Sequence, residues 1–144
     1  MTGYRAYRGQ QVQTSSPLEL ILLAYEVLIC SLHRTMEAQK QQDFVAESLH
    51  AQQAIAAVTE LMNGLDYDNG GDIAADLGSL YLYTTQQIIT AQGSNDPQKY
   101  QELIDLINVL RSGWMELRDR QRTTPNTTYT QEEAPQQPRI ALAA

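Results

Sequence analysis

The residues of this 144-residue chain best suited to metal binding are Glu47 and His50, which stand three positions apart on a predicted helix. Di-iron bundle proteins use this Glu-x-x-His spacing to direct two ligands inward, and they use it twice. The only other histidine, His33, has Cys30 where the second glutamate should be. We therefore interpret Glu47 and His50 as a solvated pair, and we expect neither a bound metal nor a cofactor.

Cys30 is the candidate nucleophile. A reactive thiol needs an accessible, electropositive setting, whereas Cys30 lies among Leu28, Ile29 and Leu32. This neighbourhood predicts a thiol in the core. The sequence also contains no glycine-rich phosphate loop and no nucleophile elbow, so we do not expect an enzyme. A single cysteine cannot form an internal disulfide, which fits a reducing cytoplasm.

Charge and hydropathy exclude two classes of partner. Seventeen acidic and ten basic residues give a net charge of -7, which opposes binding to a nucleic-acid backbone. The apolar run after Glu19 is interrupted by Glu26 and is shorter than the roughly 20 residues of a spanning helix. The amino terminus also lacks the pattern of a signal peptide. We expect a cytoplasmic protein that neither inserts into a membrane nor binds nucleic acid.

Glycine and proline residues, which end or begin helices, divide the chain into four predicted helices. Ser16, Pro17 and Glu19 form a capping box that opens the first helix, which should end near Gln39. The second should begin near Asp43. The turn-forming residues 64–71 precede the third, which places Asp72 and Asp76 in its first turns. Gly93 should end the third helix, and Asp96 with Pro97 should open the fourth.

Apolar spacing along these helices predicts their buried stripes. The second helix repeats Val45, Leu49, Ile55, Val58, Met62 and Leu65. The third repeats Ile73, Leu77, Leu80, Tyr81, Thr84, Ile88 and Ala91, and the fourth repeats Tyr100, Leu103, Ile107, Leu110, Trp114 and Leu117. Short connections favour an all-α, antiparallel up-down four-helix bundle over residues 16–121. Residues 1–15 form a leader segment, and the polar composition of residues 122–144 predicts a disordered tail.

The first helix is too apolar for a single buried face, so we expect it to be covered on more than one side, by its own fold and by a partner chain. Tyrosine, which is enriched at partner interfaces, occurs eight times. Tyr25 and Tyr81 suit either the core or an interface. Because Tyr83 is two positions from Tyr81, one of these two must face a groove or solvent.

The order of several motifs resembles that of the flagellin export chaperone family FliS over residues 4–120. The leader and first helix carry Tyr4-x-x-Tyr7, Val12-x-Thr14-x-x-Pro17-x-Glu19-Leu20 and Tyr25. Further along, residues 54–65, Leu80-Tyr81-x-Tyr83, Asn95-Asp96 and Trp114 agree with the same family. Ala24, Glu26 and Val27 depart from its pattern around the helix-one tyrosine.

The resemblance implies an export chaperone in the cytosol of a flagellated bacterium. It would bind the carboxy-terminal segment of flagellin, prevent premature polymerisation and keep the client competent for flagellar type III secretion. Other flagellar regulators and export-gate components are further candidate partners. The predicted client-binding residues are Tyr4, Tyr7, Val12, Leu18, Leu22, Tyr25, Tyr81, Tyr83 and Trp114.

Our mechanistic hypothesis is that the leader lies over a groove formed by Leu18, Leu22 and Tyr25 until a client displaces it. Alternatively, the leader closes the core. Two other functions remain open. A structural homo-oligomeric bundle, or an interaction adaptor without a secretion client, would cover its apolar surface with another protein. A metal-binding or oxidase bundle would contain bound metal, which elemental analysis of protein grown with iron would detect.

Overall fold

A computed structural model describes residues 16–123, which form four helices and no strand. The helices are α1 (Pro17–Lys40), α2 (Phe44–Asn63), α3 (Tyr67–Gln92) and α4 (Pro97–Thr123). The leader and residues 124–144 lie outside the described part. The predicted client contacts Tyr4, Tyr7 and Val12 therefore lie outside it as well.

Side-chain caps fix most helix ends where the sequence places them. The Ser16 hydroxyl accepts a hydrogen bond from the Glu19 amide at 3.2 Å, and the Asp43 carboxylate accepts one from the Ala46 amide at 3.1 Å. Gly93 follows the last residue of α3. Asp96 accepts a hydrogen bond from the Gln98 amide at 3.1 Å as α4 begins. These caps satisfy amides that have no partner within the helix.

The start of α3 differs from the prediction. Asp66 caps a single helical turn, and Gly71 then breaks the helix with φ of 52° and ψ of -127° before the longer part begins. Glycine suits this position because a Cβ atom disfavours positive φ. Tyr67 folds back so closely that a Cβ added at Gly78 would lie 2.6 Å from its hydroxyl. The predicted turn over residues 64–71 is thus a short link followed by one turn of helix.

The four helices form a ring. α1 packs against α2 and α4, α2 packs against α3, and α3 closes the ring against α4. Arg122 near the end of α4 pairs with Glu19 in the first turn of α1 at 3.4 Å, so these two helices run in opposite directions. The predicted antiparallel up-down bundle is confirmed.

The buried stripe of α4 is confirmed, because all six of its predicted residues are buried or half-buried. In α2 the prediction is wrong for Val45, which is 83% exposed, and for Leu49, which is also exposed. The buried arc of α2 follows Glu47, Ala51 and Ala54 instead. These small alanines let α2 approach its neighbours closely, and that register turns Val45 to the outside. In α3, the predicted core residue Ile73 is also exposed.

All the large apolar residues of α1 are buried or half-buried. Its exposed stripe contains Glu26, Cys30, His33 and Glu37, which recur every three or four residues. The prediction of a core thiol is therefore wrong, because Cys30 shares this solvent-facing stripe although its sequence neighbours are buried. Within the described part, the large apolar residues that are exposed belong to the other three helices. They are Phe44, Val45, Leu49, Tyr67, Ile73, Leu82, Tyr83, Ile89 and Val109.

None of the helices in residues 16–123 is long and apolar enough to cross a membrane.

Candidate functional site

An apolar groove of about 280 Å³ opens between α3 and α4. Two residues of α3 and five of α4 line it. They are Ile73, Leu77, Val109, Leu110, Gly113, Trp114 and Leu117. We call this feature the α3–α4 groove.

The groove exists because α3 and α4 pack less extensively than the other adjacent helices do. Gly113 contributes no side chain, and a Cβ atom added there would meet nothing within 4 Å. Ile73 on one rim is 53% exposed, and Val109 on the other is 69% exposed. The result is a shallow channel with apolar walls that water can reach, which is the kind of surface that marks an interaction site.

Trp114 forms the floor of the groove and joins it to the centre of the bundle. The hydroxyls of Tyr25 and Tyr81 meet there at 2.7 Å, and their rings pack edge to face with centroids 6.4 Å apart. Burial raises the pKa of both tyrosines, and the neighbouring indole of Trp114 opposes that rise. Tyr25, Tyr81 and Trp114, three of the predicted client-binding residues, are therefore brought together beneath the groove.

The other predicted residues lie elsewhere. Leu18 and Leu22 are buried in the core on α1. Tyr83 is 48% exposed while Tyr81 is buried, which confirms that one of this pair faces outward. Sequence reasoning missed Val109 and Gly113 because they stand beside the apolar stripe of α4. Their spacing of four residues, with a glycine inside a long helix, was the available signal.

A buried polar cluster lies at the opposite end of the bundle. Glu47 is 2% exposed, and its carboxylate accepts hydrogen bonds from the side-chain Nε2 of Gln39 at 2.9 Å and from the Tyr100 hydroxyl at 2.7 Å. The same Nε2 of Gln39 also donates to the Ala91 carbonyl at 2.9 Å. The cluster thus connects all four helices. It stabilises one arrangement of the bundle because each of these groups would otherwise be buried without a partner.

The interpretation of Glu47 and His50 as a solvated pair is wrong for Glu47. This residue follows the alanine arc of α2 into the interior, whereas the His50 ring nitrogen Nδ1 pairs with the side-chain oxygen of Gln53 at 3.1 Å. Among residues 16–123, no three histidine, cysteine, aspartate or glutamate side chains form a group that could hold a metal ion.

Alkaline pH should destabilise the bundle. Burial raises the pKa of Tyr25, Tyr81 and Tyr100, and the Glu47 carboxylate raises that of Tyr100 further. Tyrosine ionises near pH 10 in the unfolded chain, whereas these three buried tyrosines stay neutral to higher pH in the folded protein. Their contribution to folding stability should therefore be complete below about pH 10 and should be lost as pH rises further. The midpoint of urea unfolding should fall steeply above that pH. A constant midpoint up to about pH 12 would contradict the burial of these hydroxyls.

Comparison with known proteins gives a consistent result. The profile of the family "Flagellar protein FliS" matches residues 1–121. A flagellar secretion chaperone FliS from Campylobacter jejuni is 30% identical over 79% of this chain and 89% of its own length. Its counterpart from Salmonella typhimurium is 29% identical over 81% of this chain and 90% of its own length. One from Vibrio cholerae is 28% identical over 72% and 76%.

The family match covers the leader and the bundle together, and it agrees with the resemblance noted in the sequence. The chain belongs to the FliS family of flagellar proteins.

Proposed function

We propose that this protein is a cytosolic export chaperone that binds the carboxy-terminal segment of flagellin. Binding would prevent premature polymerisation and keep flagellin competent for flagellar type III secretion. One observation carries the proposal. The α3–α4 groove is apolar, open to water and backed by the buried core, and it occurs in a chain whose relatives are named flagellar secretion chaperones.

The shape of the groove favours an amphipathic helix as its occupant. Apolar residues of α3 and of α4 face each other across it, so a ridge of side chains spaced by three or four residues can enter between them. From Val109 to Leu117 the groove wall extends about 12 Å, or roughly two helical turns. Ile73 and Val109 are 53% and 69% exposed, so covering each would contribute about 1–2 kcal/mol, a part of the gain for burying a fully exposed side chain.

Such a chaperone works by binding and needs no nucleotide. A client segment that is disordered when free would fold as it enters the groove, and apolar contact would drive that folding. The ordering of the client opposes binding, which keeps release feasible. The tyrosine hydroxyls below the groove bond to each other and belong to buried side chains, so a client in the groove does not reach them. We therefore propose apolar recognition with little dependence on salt.

The leader keeps a proposed role in client binding. Leu18 and Leu22 are buried, so a client can contact them only after part of the cover of α1 moves. The leader directly precedes these residues in sequence. Displacement of the leader by the client is the movement that we propose, with Tyr4, Tyr7 and Val12 as its apolar anchors.

Additional partners would need another surface. Phe44, Val45 and Leu49 are exposed on α2, at the end of the bundle away from the groove. We propose that flagellar regulators or export-gate components could bind there while the client remains in place. The competing function, a structural homo-oligomer, would use the same exposed residues, and sizing of the purified protein alone would detect it.

Substitution of Gly113 with arginine tests the client site. The space above Gly113 is open and glycine is unfavourable within a helix, so the variant should fold at least as stably as the wild type. Its side chain should obstruct the groove. In calorimetric titrations with a flagellin carboxy-terminal peptide, we expect affinity to fall at least tenfold, or about 1.4 kcal/mol.

The matched control is Ser112→Arg, which adds the same charge on the same turn of α4 but lies outside the groove lining. It should bind the peptide as the wild type does. Equal affinity in Gly113→Arg and wild type would remove the groove from the proposal. If the wild type itself did not bind the peptide, the proposed function would be wrong.

A further inference from the structure

We propose that residues 139–143 of this chain, Arg-Ile-Ala-Leu-Ala, occupy the α3–α4 groove when no client is present. The tail would then act as an internal competitor of the client. This regulatory role rests on the proposed function, whereas docking of the tail does not depend on it.

The composition of the tail selects this segment. Between Thr123 and Arg139 the residues are mostly polar, with prolines at positions 125, 135 and 138. Ile140 and Leu142 are the only leucine, isoleucine, valine or methionine residues after Thr123. Exposed apolar surface in the groove and isolated apolar residues in a polar tail are complementary in chemistry.

The position of the groove also favours the tail. α4 forms one wall of the groove and ends at Thr123. The tail therefore leaves the bundle at the end where the groove lies. Gly113 lies ten residues before Thr123, or about 15 Å along the helix axis. The 15 residues 124–138 that separate Thr123 from this segment can extend to about 50 Å, which is more than this distance. The segment can therefore reach the groove, and its attachment to α4 raises its effective concentration there.

Charge complements this arrangement. Arg139 is the only basic residue after Thr123. Asp72 and Asp76 are exposed on α3, next to the groove residues Ile73 and Leu77. An arginine directly before Ile140 can approach these carboxylates while the apolar side chains enter the groove. Such an exposed pair contributes little affinity, but it favours one direction of docking over the other.

Two apolar side chains form a weaker anchor than a client helix that covers the whole groove. The tail would occupy the groove in a large fraction of molecules, and a client could still displace it. When the binding-competent fraction is reduced, apparent affinity falls by the same factor. We expect the tail to weaken client binding about fivefold.

Paramagnetic relaxation enhancement tests docking directly in the full chain. A nitroxide is attached to Ser112→Cys, beside the groove, in a Cys30→Ser background. Amide signals of residues 139–143 should broaden more than those of residues 126–131, although the latter are closer in sequence. Broadening that only declines along the tail, or is absent, would overturn the proposal. So would broadening of Tyr4 and Tyr7 with none at residues 139–143.

Two controls complete the experiment. Val45 lies at the start of α2, which is the end of the bundle distant from the groove. A nitroxide at Val45→Cys should therefore leave residues 139–143 unaffected. The double substitution Ile140→Asp and Leu142→Asp should abolish the selective broadening without touching the bundle.

The same double variant tests the regulatory role. It should bind a flagellin carboxy-terminal peptide about fivefold more tightly than the wild type. Unchanged affinity would overturn the competition. Selective broadening in a protein that binds no flagellin peptide would support tail docking and refute the proposed function alone. Peptide binding without selective broadening would refute the tail and leave the function standing.

Discussion

Replacing Trp114 with alanine should destabilise the bundle by about 3–5 kcal/mol, the range for removing a large aromatic side chain from a core. Trp114 is buried at the groove floor and interacts with the hydroxyls of Tyr25 and Tyr81. Its removal leaves a cavity, and the buried hydroxyls of the two tyrosines lose their interaction with the indole. Circular dichroism during urea denaturation should measure the loss, since Trp114 is the only tryptophan and fluorescence would vanish with it.

Two further variants separate the causes. Trp114→Phe retains much of the ring volume and should lose markedly less stability than alanine. Val109→Ala changes an exposed rim residue, so it should shift stability by no more than about 0.5 kcal/mol. A loss below about 1 kcal/mol for Trp114→Ala would show that the floor of the groove is not packed as described.

The second large effect is expected at the other end of the bundle. Glu47→Ala removes the acceptor used by both Gln39 and Tyr100, and it should cost about 2–4 kcal/mol because two buried donors lose their partner. Urea denaturation near pH 7 provides the measurement. Glu37→Ala, which alters an exposed glutamate bonded to Gln41, should change stability by less than about 0.5 kcal/mol.

A double-mutant cycle identifies the reason for that loss. Tyr100→Phe removes one of the two donors, so combining it with Glu47→Ala should cost clearly less than the sum of the single effects. The coupling should reach about 0.5–3 kcal/mol. Additive losses would indicate that the Tyr100 hydroxyl does not depend on Glu47.

Local chemistry made much of the fold predictable. Ser16 caps α1 as expected, α2 begins directly after Asp43, and Gly93 and Pro97 mark the end of α3 and the start of α4. These features depend on neighbouring backbone groups, which the sequence specifies directly. The stripe of α4 was predictable for a similar reason, because its large side chains recur with the helical period.

Rotation of a helix about its axis was harder to predict. In α2 the small alanines at 51 and 54 are buried and Val45 is exposed, so close approach of neighbouring helices outweighs side-chain size. Cys30 faces solvent and Glu47 is buried for the same reason, because position on the helix decides exposure. In α2, hydropathy alone therefore did not identify the face that the neighbouring helices cover.

The groove could be predicted only in part. Of the residues predicted to bind a client, Trp114 lines the groove, and Tyr25 and Tyr81 lie in the core beside Trp114. The walls of the groove depend on the separation of α3 and α4, which is a tertiary property. Gly113 is informative only once that separation is known, because an absent side chain opens a groove only where no neighbour fills the space.

Methyl resonances recorded during titration with a flagellin carboxy-terminal peptide test the central claim most directly. We predict that the signals of Leu77, Leu110 and Leu117 shift and saturate together, while those of Val45 and Leu49 on α2 remain unchanged. A peptide that leaves the three groove leucines unaffected, or that shifts only the α2 signals, would contradict flagellin recognition by the α3–α4 groove.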